Sequence, residues 1–359
     1  MQENERERRM KLNPKKILSM LLVVASIILV FSIAFSNNEL ENAWEALGNL
    51  KLQWVAGIFA CWFIYMFFDA LSYWFYLHKQ GFRMSIGRSV NISLIGFYYS
   101  NITPSSAGGQ PMQVNSMRKA GIPVGYGTKA CTIRFICNQF VIVAVSLVLW
   151  IMNREFINQQ LGGVIWVVRI GWLINFASVP LVIMAAFQRK LIQKIANGII
   201  RFGKKIRIVK NEEAAIAVVT DVLDTYHTAL RDLLHSPGQI LLQILCAAIS
   251  IFGLIGSILF VYHAFGLTGT PWYRLLTISF LLFVSASYTP LPGASGAQEG
   301  GFLVFYRGIF PSDLIGLALL VWRFFTYYLF LIIGAFTVVL EKIIVSREKK
   351  KNAQLTEQK

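Results

Sequence analysis

The sequence predicts an all-α polytopic integral membrane protein with about six transmembrane helices and two re-entrant hairpins, arranged as an inverted repeat. Of its 359 residues, 55% are apolar and only 14% are charged, whereas soluble globular domains carry roughly 25% charged residues. The apolar residues occur in runs near the length of about 20 that crosses a bilayer as a helix. Two shorter runs share a motif, and Lys and Arg cluster beside the runs in a pattern that predicts their topology.

Six long apolar runs predict the membrane-spanning helices. The first, residues 17–36, follows a basic segment at residues 1–16. Its length and the lack of a clear small-residue cleavage site predict an uncleaved signal anchor. The membrane domain is predicted over residues 17–345, and a basic tail follows at 346–359. The other five runs cover residues 54–77, 128–152, 164–187, 239–265 and 314–340.

Two weaker apolar runs are short for a full crossing, and each ends in Thr-Pro. Residues 91–104 (NISLIGFYYSNITP) and 277–290 (TISFLLFVSASYTP) are identical at five positions when offset by 186. Each copy continues into small residues that end in Gln, SSAGGQ in the first and LPGASGAQ in the second, and later contains an Arg-Phe pair. The sequence therefore predicts an internal repeat with motif segments 86–135 and 272–324.

Charge predicts that both weak runs are re-entrant. In the linker of residues 188–236, the part before Glu212 carries eight Lys and Arg and no acid. Short loops rich in Lys and Arg stay in the cytosol. If both weak runs crossed fully, this linker would lie outside. If each enters and leaves on one side, every basic segment and both termini face the cytosol. The hairpins then enter from opposite sides, as in inverted-repeat transporters.

The linker itself predicts two helices. Residues 189–210 mix apolar residues with cations, which is typical of a helix that lies in the interface over anionic lipid. Residues 212–235 have apolar residues at helical spacing, and we expect them to pack on the cytosolic side of the membrane domain.

Three charged residues lie at predicted membrane depth, where each needs a partner or a wet cavity. Asp69 and Arg134 each lie roughly 12 Å from the cytosolic end of their helices at 1.5 Å per residue, so they are predicted to pair. Arg323 lies roughly 14 Å from the outer end of its helix by the same count, within reach of Glu299. Two interpretations stay open: structural ion pairs that hold the repeats together, or a polar site for a lipid headgroup.

The two hairpin tips are the predicted lipid-binding site, and we expect them to meet near the midplane. Backbone N–H groups in Gly- and Ser-rich tips, together with helix starts, favour an anion such as phosphate. The glutamines can donate to an ester or hydroxyl oxygen. The alternative is that the small residues only allow close packing. The predicted site residues are Thr103, Pro104, Gly108, Gly109, Gln110, Thr289, Pro290, Gly293, Gln298 and Glu299.

The sequence contains no recognisable catalytic motif and no metal-ligand spacing, so we predict no catalytic residue, metal or cofactor. Four cysteines lie in apolar runs, where reduced, buried thiols are expected. The net charge of +16 is assigned to cytosolic segments and anionic lipid, and no nucleic acid is predicted to bind directly.

The paired runs TPSSAGGQ at 103–110 and YTPLPGASGAQEG at 288–300 resemble the membrane region of lysylphosphatidylglycerol synthases, the multiple peptide resistance factors. The resemblance covers residues 15–345 and implies a flippase-like membrane domain in its stand-alone form. It also implies a phospholipid ligand such as lysylphosphatidylglycerol, and a role in envelope charge and resistance to cationic antimicrobial peptides. Since 19 residues, 341–359, follow the last predicted helix, we expect no synthase domain in this chain.

Three functions stay open at this point. The first is translocation or binding of a phospholipid in the bacterial plasma membrane. The second is phosphatidylglycerol lysyltransferase activity, in which lysine passes from lysyl-tRNA to phosphatidylglycerol, with a partner synthase supplying the catalytic fold. The third is a non-transporting scaffold for a lipid or envelope enzyme. A homo-oligomer is compatible with each of them.

Overall fold

The computed structural model describes residues 14–35, 40–187, 189–205, 211–287 and 289–357. Within these ranges the regular structure is helical, and no β-strand occurs beyond one isolated bridge. The predicted all-α class is therefore confirmed. Most of the predicted basic N-terminal segment lies outside the described residues.

Fifteen α-helices follow one another along the described residues. They are α1 (Pro14–Phe35), α2 (Leu40–Gly48), α3 (Leu52–Lys79), α4 (Ile86–Ile102), α5 (Gly109–Lys119), α6 (Val124–Met152), α7 (Arg154–Leu161), α8 (Ile165–Phe187), α9 (Arg189–Lys205), α10 (Glu212–Leu234), α11 (Pro237–Ala264), α12 (Trp272–Ala286), α13 (Ala297–Phe305), α14 (Ile315–Arg323) and α15 (Leu329–Glu357).

The polytopic class is also confirmed, because five helical segments of the described chain are long and apolar enough to cross a membrane. The predicted sixth crossing, α1, has 22 residues, of which Val23–Ser32 forms a shorter apolar stretch. The count of six stays a prediction. The five segments are Leu52–Lys79, Val124–Met152, Arg154–Ser178, Pro237–Ala264 and Ile315–Ile343.

The last predicted crossing is not one regular α-helix. A π-helical turn, Phe324–Tyr328, separates α14 from α15. The wider turn shifts the register of the helix and leaves both Tyr327 and Tyr328 buried. Their hydroxyls donate to the backbone carbonyls of Asn101, at 3.1 Å, and Ser26, at 3.4 Å. The π turn thus fastens this crossing to the first hairpin and to α1.

The first hairpin consists of α4, a tip and α5, and it begins and ends on the same side of the bundle. Phe82, just before α4, contacts Tyr126, in the first turn of α6, which follows α5, with ring centroids 4.9 Å apart. The linker helix α10 is joined to this side by the ion pair between Asp232 and Lys129 of α6, at 2.7 Å. We call this side the linker face.

The second hairpin consists of α12, a tip and α13, and both of its ends contact the short helix α7. The guanidinium of Arg274, at the start of α12, lies 4.8 Å from the centroid of the Phe156 ring of α7. Gln160 of α7 donates to the carbonyl of Phe305, at the end of α13, at 3.1 Å. Since α7 follows α6, whose 29 residues span roughly 43 Å, this hairpin opens at the opposite face.

The linker forms two helices, α9 and α10. Lys204 of α9 donates to Glu212 at the start of α10, at 2.8 Å. This hydrogen bond raises the pKa of Lys204 and lowers the pKa of Glu212 from their ordinary values. Residues 206–210, the end of the predicted interfacial helix, lie outside the described residues.

The centre of the bundle is the close pair α3 and α11. A Cβ on Gly253 of α11 would lie 2.9 Å from the backbone nitrogen of Tyr65, so only glycine allows the two backbones to approach this closely. Ser250 donates to the carbonyl of Tyr65 at 2.9 Å. All four cysteines are buried and unpaired, as the sequence predicts.

Candidate functional site

The two hairpin tips are in contact with each other inside the bundle. The N–H of Ser105 in the first tip donates to the carbonyl of Pro290 in the second, at 3.3 Å. A further contact comes from Tyr327, whose hydroxyl bonds to Asn101 at the end of α4. The two tips, whose hairpins open at opposite faces, therefore join through their backbones.

Both tips contain two successive residues with left-handed backbone. In the first tip Ser105 and Ser106 have φ of 52° and 55°, and in the second Gly293 and Ala294 have φ of 60° and 52°. Among the described residues, Ser105, Ser106 and Ala294 are the non-glycine residues with positive φ. Such conformations cost roughly 1–3 kcal/mol each and cluster at functional sites.

The turn geometry aligns the two tips at a different offset from the one at which the Thr-Pro identities match. A 3₁₀ turn begins at Pro104 in the first tip and at Pro292 in the second, an offset of 188, whereas the Thr-Pro match at an offset of 186 pairs Pro104 with Pro290. The offset of 188 also aligns Gln110 with Gln298. The second tip is thus two residues longer, and Thr289-Pro290 precede its turn, with Pro290 exposed.

One equivalent backbone amide is capped by a side chain in each tip, by different chemistry. The N–H of Gly108 donates to the Thr103 hydroxyl at 2.9 Å. At the equivalent position, the N–H of Gly296 donates to the Glu299 carboxylate at 2.6 Å. The Thr103 hydroxyl in turn donates to the carbonyl of Tyr99 at 2.6 Å. These two amides are therefore not available to a ligand.

Other amides at the starts of α5 and α13 are unpaired. The N–H groups of Gly109, Gln110, Ala297 and Gln298 make no hydrogen bond within the described part of the chain. A helix leaves its first N–H groups without intrahelical partners, and the helix dipole makes this end favourable for an anion. Two such helix starts thus follow directly on the joined tips.

The two tip glutamines differ in burial. Gln110 is exposed, whereas Gln298 is only 8% exposed and its side-chain oxygen has no hydrogen-bond partner within the described chain. A buried acceptor without a partner is costly and calls for an explanation. Among the predicted site residues, Gln298 therefore has a buried hydrogen-bond acceptor that the described chain does not satisfy and that a bound donor would satisfy.

Glu299 and Arg323 form a fully buried ion pair that holds the second tip. Their exposed side-chain fractions are 0% and 4%, and the shortest distance from guanidinium to carboxylate is 2.6 Å. Arg323 also donates to the carbonyl of Gly293 at 3.2 Å, and Ser26 of α1 donates to Glu299 at 3.3 Å. Because both carboxylate oxygens already accept hydrogen bonds, this pair serves first to fix the tip.

Asp69 of α3 and Arg134 of α6 are also in direct contact, beside the first hairpin. Ser93 of α4 donates to the other Asp69 oxygen at 2.7 Å. The Arg134 guanidinium lies over the rings of Tyr73 and Phe97, at 5.5 and 5.9 Å from their centroids. The Asp69 side chain is 1% exposed and that of Arg134 is 14% exposed, so this pair is less enclosed than the other.

Two predicted site glycines are packing positions. A Cβ on Gly109 would lie 2.0 Å from the Ser100 hydroxyl oxygen and 2.9 Å from the carbonyl oxygen of Gly96. A Cβ on Gly293 would lie 2.1 Å from the Tyr327 ring. At these two positions the geometry favours the close-packing interpretation.

Sequence reasoning missed the polar residues that support the hairpins from other helices. Gln113 of α5 is 2% exposed and accepts a hydrogen bond from the Tyr73 hydroxyl at 3.0 Å. Ser26 of α1 contacts Glu299. The one available signal was that Gln113 is polar at predicted membrane depth, where polar groups need partners.

The helices and the joined tips define a polytopic α-helical membrane protein built around two membrane hairpins that open at opposite faces. The chain belongs to the family described as the lysylphosphatidylglycerol synthase TM region, whose profile matches residues 17–334. The expected family is therefore confirmed. The chain is also similar to a "UPF0104 membrane protein" of Archaeoglobus fulgidus, with 24% identity over 87% of this chain and 93% of that protein.

Proposed function

We propose that this protein translocates a phospholipid between leaflets, with the headgroup passing the joined tips. The observation that carries the proposal is the buried, unpaired oxygen of Gln298 beside two helix starts with unpaired N–H groups. A phosphate fits the N–H groups, and the Gln298 oxygen requires a donor, such as a headgroup hydroxyl or ammonium.

Translocation is favoured over binding alone by the arrangement of the two hairpins. One opens at the linker face and the other at the opposite face, and they touch through Ser105 and Pro290. Inverted repeats that meet at a central site allow alternate access from either side. Non-helical backbone at membrane depth is tolerated where it is packed in protein or lines a wet cavity.

The two arginines fit a supporting role in this proposal. Arg134, which is partly exposed, can meet an anionic headgroup from the linker face while it keeps its contact with Asp69. Arg323 is enclosed and bonded to Glu299 and to the tip carbonyl of Gly293. We propose Arg134 as a headgroup contact and Arg323 as the residue that positions the second tip.

The test is leaflet-resolved transport of fluorescent phosphatidylglycerol in vesicles that contain purified protein. We expect Gln298→Leu to lose most of the transport and to keep its folding, because the side-chain oxygen that it removes makes no hydrogen bond within the described chain. Gln159→Leu, at an exposed position of α7 outside the tips, is the matched control for added apolar character. Full transport by Gln298→Leu would remove the tips from the mechanism.

The family description names a lipid-related membrane region, and the finer alternatives are separated by experiment. Lipidomics of a deletion strain with leaflet-specific labelling gives three distinct results. Lipid accumulation in one leaflet supports translocation, loss of lysyl lipid supports lysyl transfer with a partner synthase, and unchanged lipids support a scaffold. The sensitivity of the same strain to cationic antimicrobial peptides tests the proposed role of this plasma-membrane protein in resistance.

A further inference from the structure

The linker helix α9 contacts α10 along one of its sides. Gln193 of α9 donates to the Thr220 hydroxyl at 3.2 Å, and Lys204 donates to the Glu212 carboxylate at 2.8 Å. Ile200, which lies between these two contacts in the sequence, is only 8% exposed. Gln193, Ile200 and Lys204 follow one another at spacings of seven and four residues, so they share one face of the helix. This face of α9 is therefore the one that packs on the protein.

The other side of α9 exposes apolar side chains. Leu191 is 42% exposed and Ile195 is 49% exposed. Leu191 lies nine residues before Ile200, and at about 100° per residue the two residues point to opposite sides of the helix. Ile195 lies one turn after Leu191, on the same side. The apolar stripe of α9 is therefore only partly used for packing within the described chain.

The helix α9 also carries an excess of positive charge. Its 17 residues include six Lys and Arg and no Asp or Glu. Arg201 and Lys204 contact the same carboxylate, that of Glu212, at 3.4 and 2.8 Å, and their side chains stay 73% and 58% exposed. Lys194, which precedes Ile195, is exposed as well. One acid thus meets two cations, and the exposed apolar side chains are bordered by positive charge.

The position of α9 in the chain places it at the end of a membrane-crossing helix. It begins at Arg189, and α8 ends at Phe187. Since α8 begins next to α7 at the opposite face and its 23 residues span roughly 34 Å, it ends at the linker face. An amphipathic helix with cations on its polar side is typical of a helix that lies in the plane of the bilayer surface.

The neighbouring helix α10 exposes a different surface. Glu213 and Asp221 are exposed along it, whereas its apolar residues Leu223, Ala229 and Leu233 are buried. Exposed carboxylates are repelled by the negative surface potential of anionic lipid, which attracts Lys and Arg. Within the described part of the linker, α9 is therefore the helix whose free surface suits a lipid leaflet.

We propose that α9 is a docking surface for anionic phospholipid in the leaflet at the linker face. Leu191 and Ile195 lie among the acyl chains, and Lys194 and Arg201 meet the phosphate groups. The sequence alone favours an interfacial position for residues 189–210, and the exposed side chains define which side of the helix meets the lipid. The surface does not include the hairpin tips, so the proposal does not depend on translocation.

A fluorophore attached to Leu191→Cys tests the contact with lipid. The labelled protein is reconstituted in nanodiscs that contain phosphatidylcholine with a spin label in its acyl chain, which quenches fluorophores inside the bilayer. We expect strong quenching at Leu191→Cys and little at Asp221→Cys, the matched exposed position on α10. The native cysteines are buried, so labelling is selective. Equally weak quenching at both positions would overturn the proposal and indicate that a soluble partner covers this side of α9.

The preference for anionic lipid is measured with spin-labelled phosphatidylglycerol at a low mole fraction in phosphatidylcholine nanodiscs. We expect it to quench the label at Leu191→Cys more than spin-labelled phosphatidylcholine does at the same fraction, and salt should reduce the difference. Adding Lys194→Gln should lower this preference by up to about fivefold, the effect of one basic residue near an anionic surface, and Lys194→Arg should retain it. Arg231→Gln, which removes an exposed cation of α10, is the matched control and should leave it unchanged.

The outcomes separate this surface from the tips. Equal quenching by the two lipids, or an equal loss of preference in Lys194→Gln and Arg231→Gln, would overturn the assignment to anionic lipid. Gln298→Leu should leave the quenching by both lipids unchanged, because the tips are not part of the surface. A failure of tip-mediated transport is therefore read independently of lipid docking at α9.

Discussion

Buried glutamines in this protein are of two kinds, according to whether the protein satisfies their side chains. Gln243 of α11 donates to the carbonyl of Ser72 at 2.9 Å and accepts from the hydroxyl of the same residue. Gln298 has a buried oxygen with no partner among the described residues. Hydrogen bonds therefore offset the cost of burying the amide of Gln243, but not the cost of burying the side-chain oxygen of Gln298. This contrast supports the proposed site at the tips.

Replacing each glutamine with leucine should separate the two kinds. Gln243→Leu leaves Ser72 unpaired and should cost roughly 1–3 kcal/mol. Gln298→Leu should leave the free energy of unfolding unchanged or raise it, because an unpaired polar atom is replaced by an apolar one. Thermal unfolding in a single detergent measures both variants. A loss at Gln298 as large as that at Gln243 would show that Gln298 has a protein partner in solution.

The two ion pairs should differ in their cost of disruption. Removing one partner of a buried pair costs roughly 3–5 kcal/mol. Glu299→Gln should approach that value because Arg323 is enclosed, and Asp69→Asn should cost less because 14% of the Arg134 side chain is exposed.

A double-mutant cycle with Asp69→Asn and Arg134→Gln measures the coupling directly. We expect the double variant to be more stable than the sum of the two single effects predicts. Simple additivity would contradict direct contact between the two side chains.

At the scale of elements, the tips combine strained backbone with close packing. Ser105 adopts φ 52° and ψ 26°, a left-handed conformation that costs roughly 1–2 kcal/mol for a residue with a Cβ. Gly293 has a similar conformation but lies against Tyr327. The strain at Ser105 and the packing at Gly293 therefore respond in opposite ways to substitution.

Exchanging the residue types at the tips tests this difference. Ser105→Gly should raise the free energy of unfolding by about 1 kcal/mol as the steric penalty is removed. Gly293→Ala should lower it by more than that, because the added Cβ would lie 2.1 Å from the Tyr327 ring. Ala294 also has a positive φ, of 52°, so Ala294→Gly is the parallel control for the removal of strain. Thermal unfolding is the measurement, and a destabilised Ser105→Gly would contradict the strain argument.

The elements also show what sequence could and could not predict. Depth along a helix follows from counting residues, so the common depth of Asp69 and Arg134 from the same end of the bundle was predictable. Rotation about a helix axis is set by packing, and therefore the contact of Ser26 with Glu299 was not. At the second tip, the Thr-Pro identity favoured an offset of 186, but the turn begins at Pro292, where the fixed φ of proline suits the first position.

At the scale of the whole molecule, the orientation of the two hairpins depends on charge and on helix order together. The open ends of the two hairpins lie at the two ends of α6. The first is next to Lys129 on the linker side, and the second is next to α7 on the other side. Helix order alone leaves both orientations in the membrane equivalent. The concentration of Lys and Arg around α9 predicts that the linker face is cytosolic.

Cysteine labelling in right-side-out vesicles tests this topology with three exposed positions. We expect Arg118→Cys, at the end of the first hairpin, and Lys204→Cys, in the linker, to react only after the membrane is permeabilised. Glu155→Cys, on α7 at the mouth of the second hairpin, should react with an impermeant reagent from outside. The buried native cysteines provide an unlabelled background. Labelling of Lys204→Cys from outside would show that the orientation is the reverse of the predicted one. Labelling of Arg118→Cys and Glu155→Cys from the same side would contradict the opposed hairpins. It would also contradict the access from both faces that translocation requires.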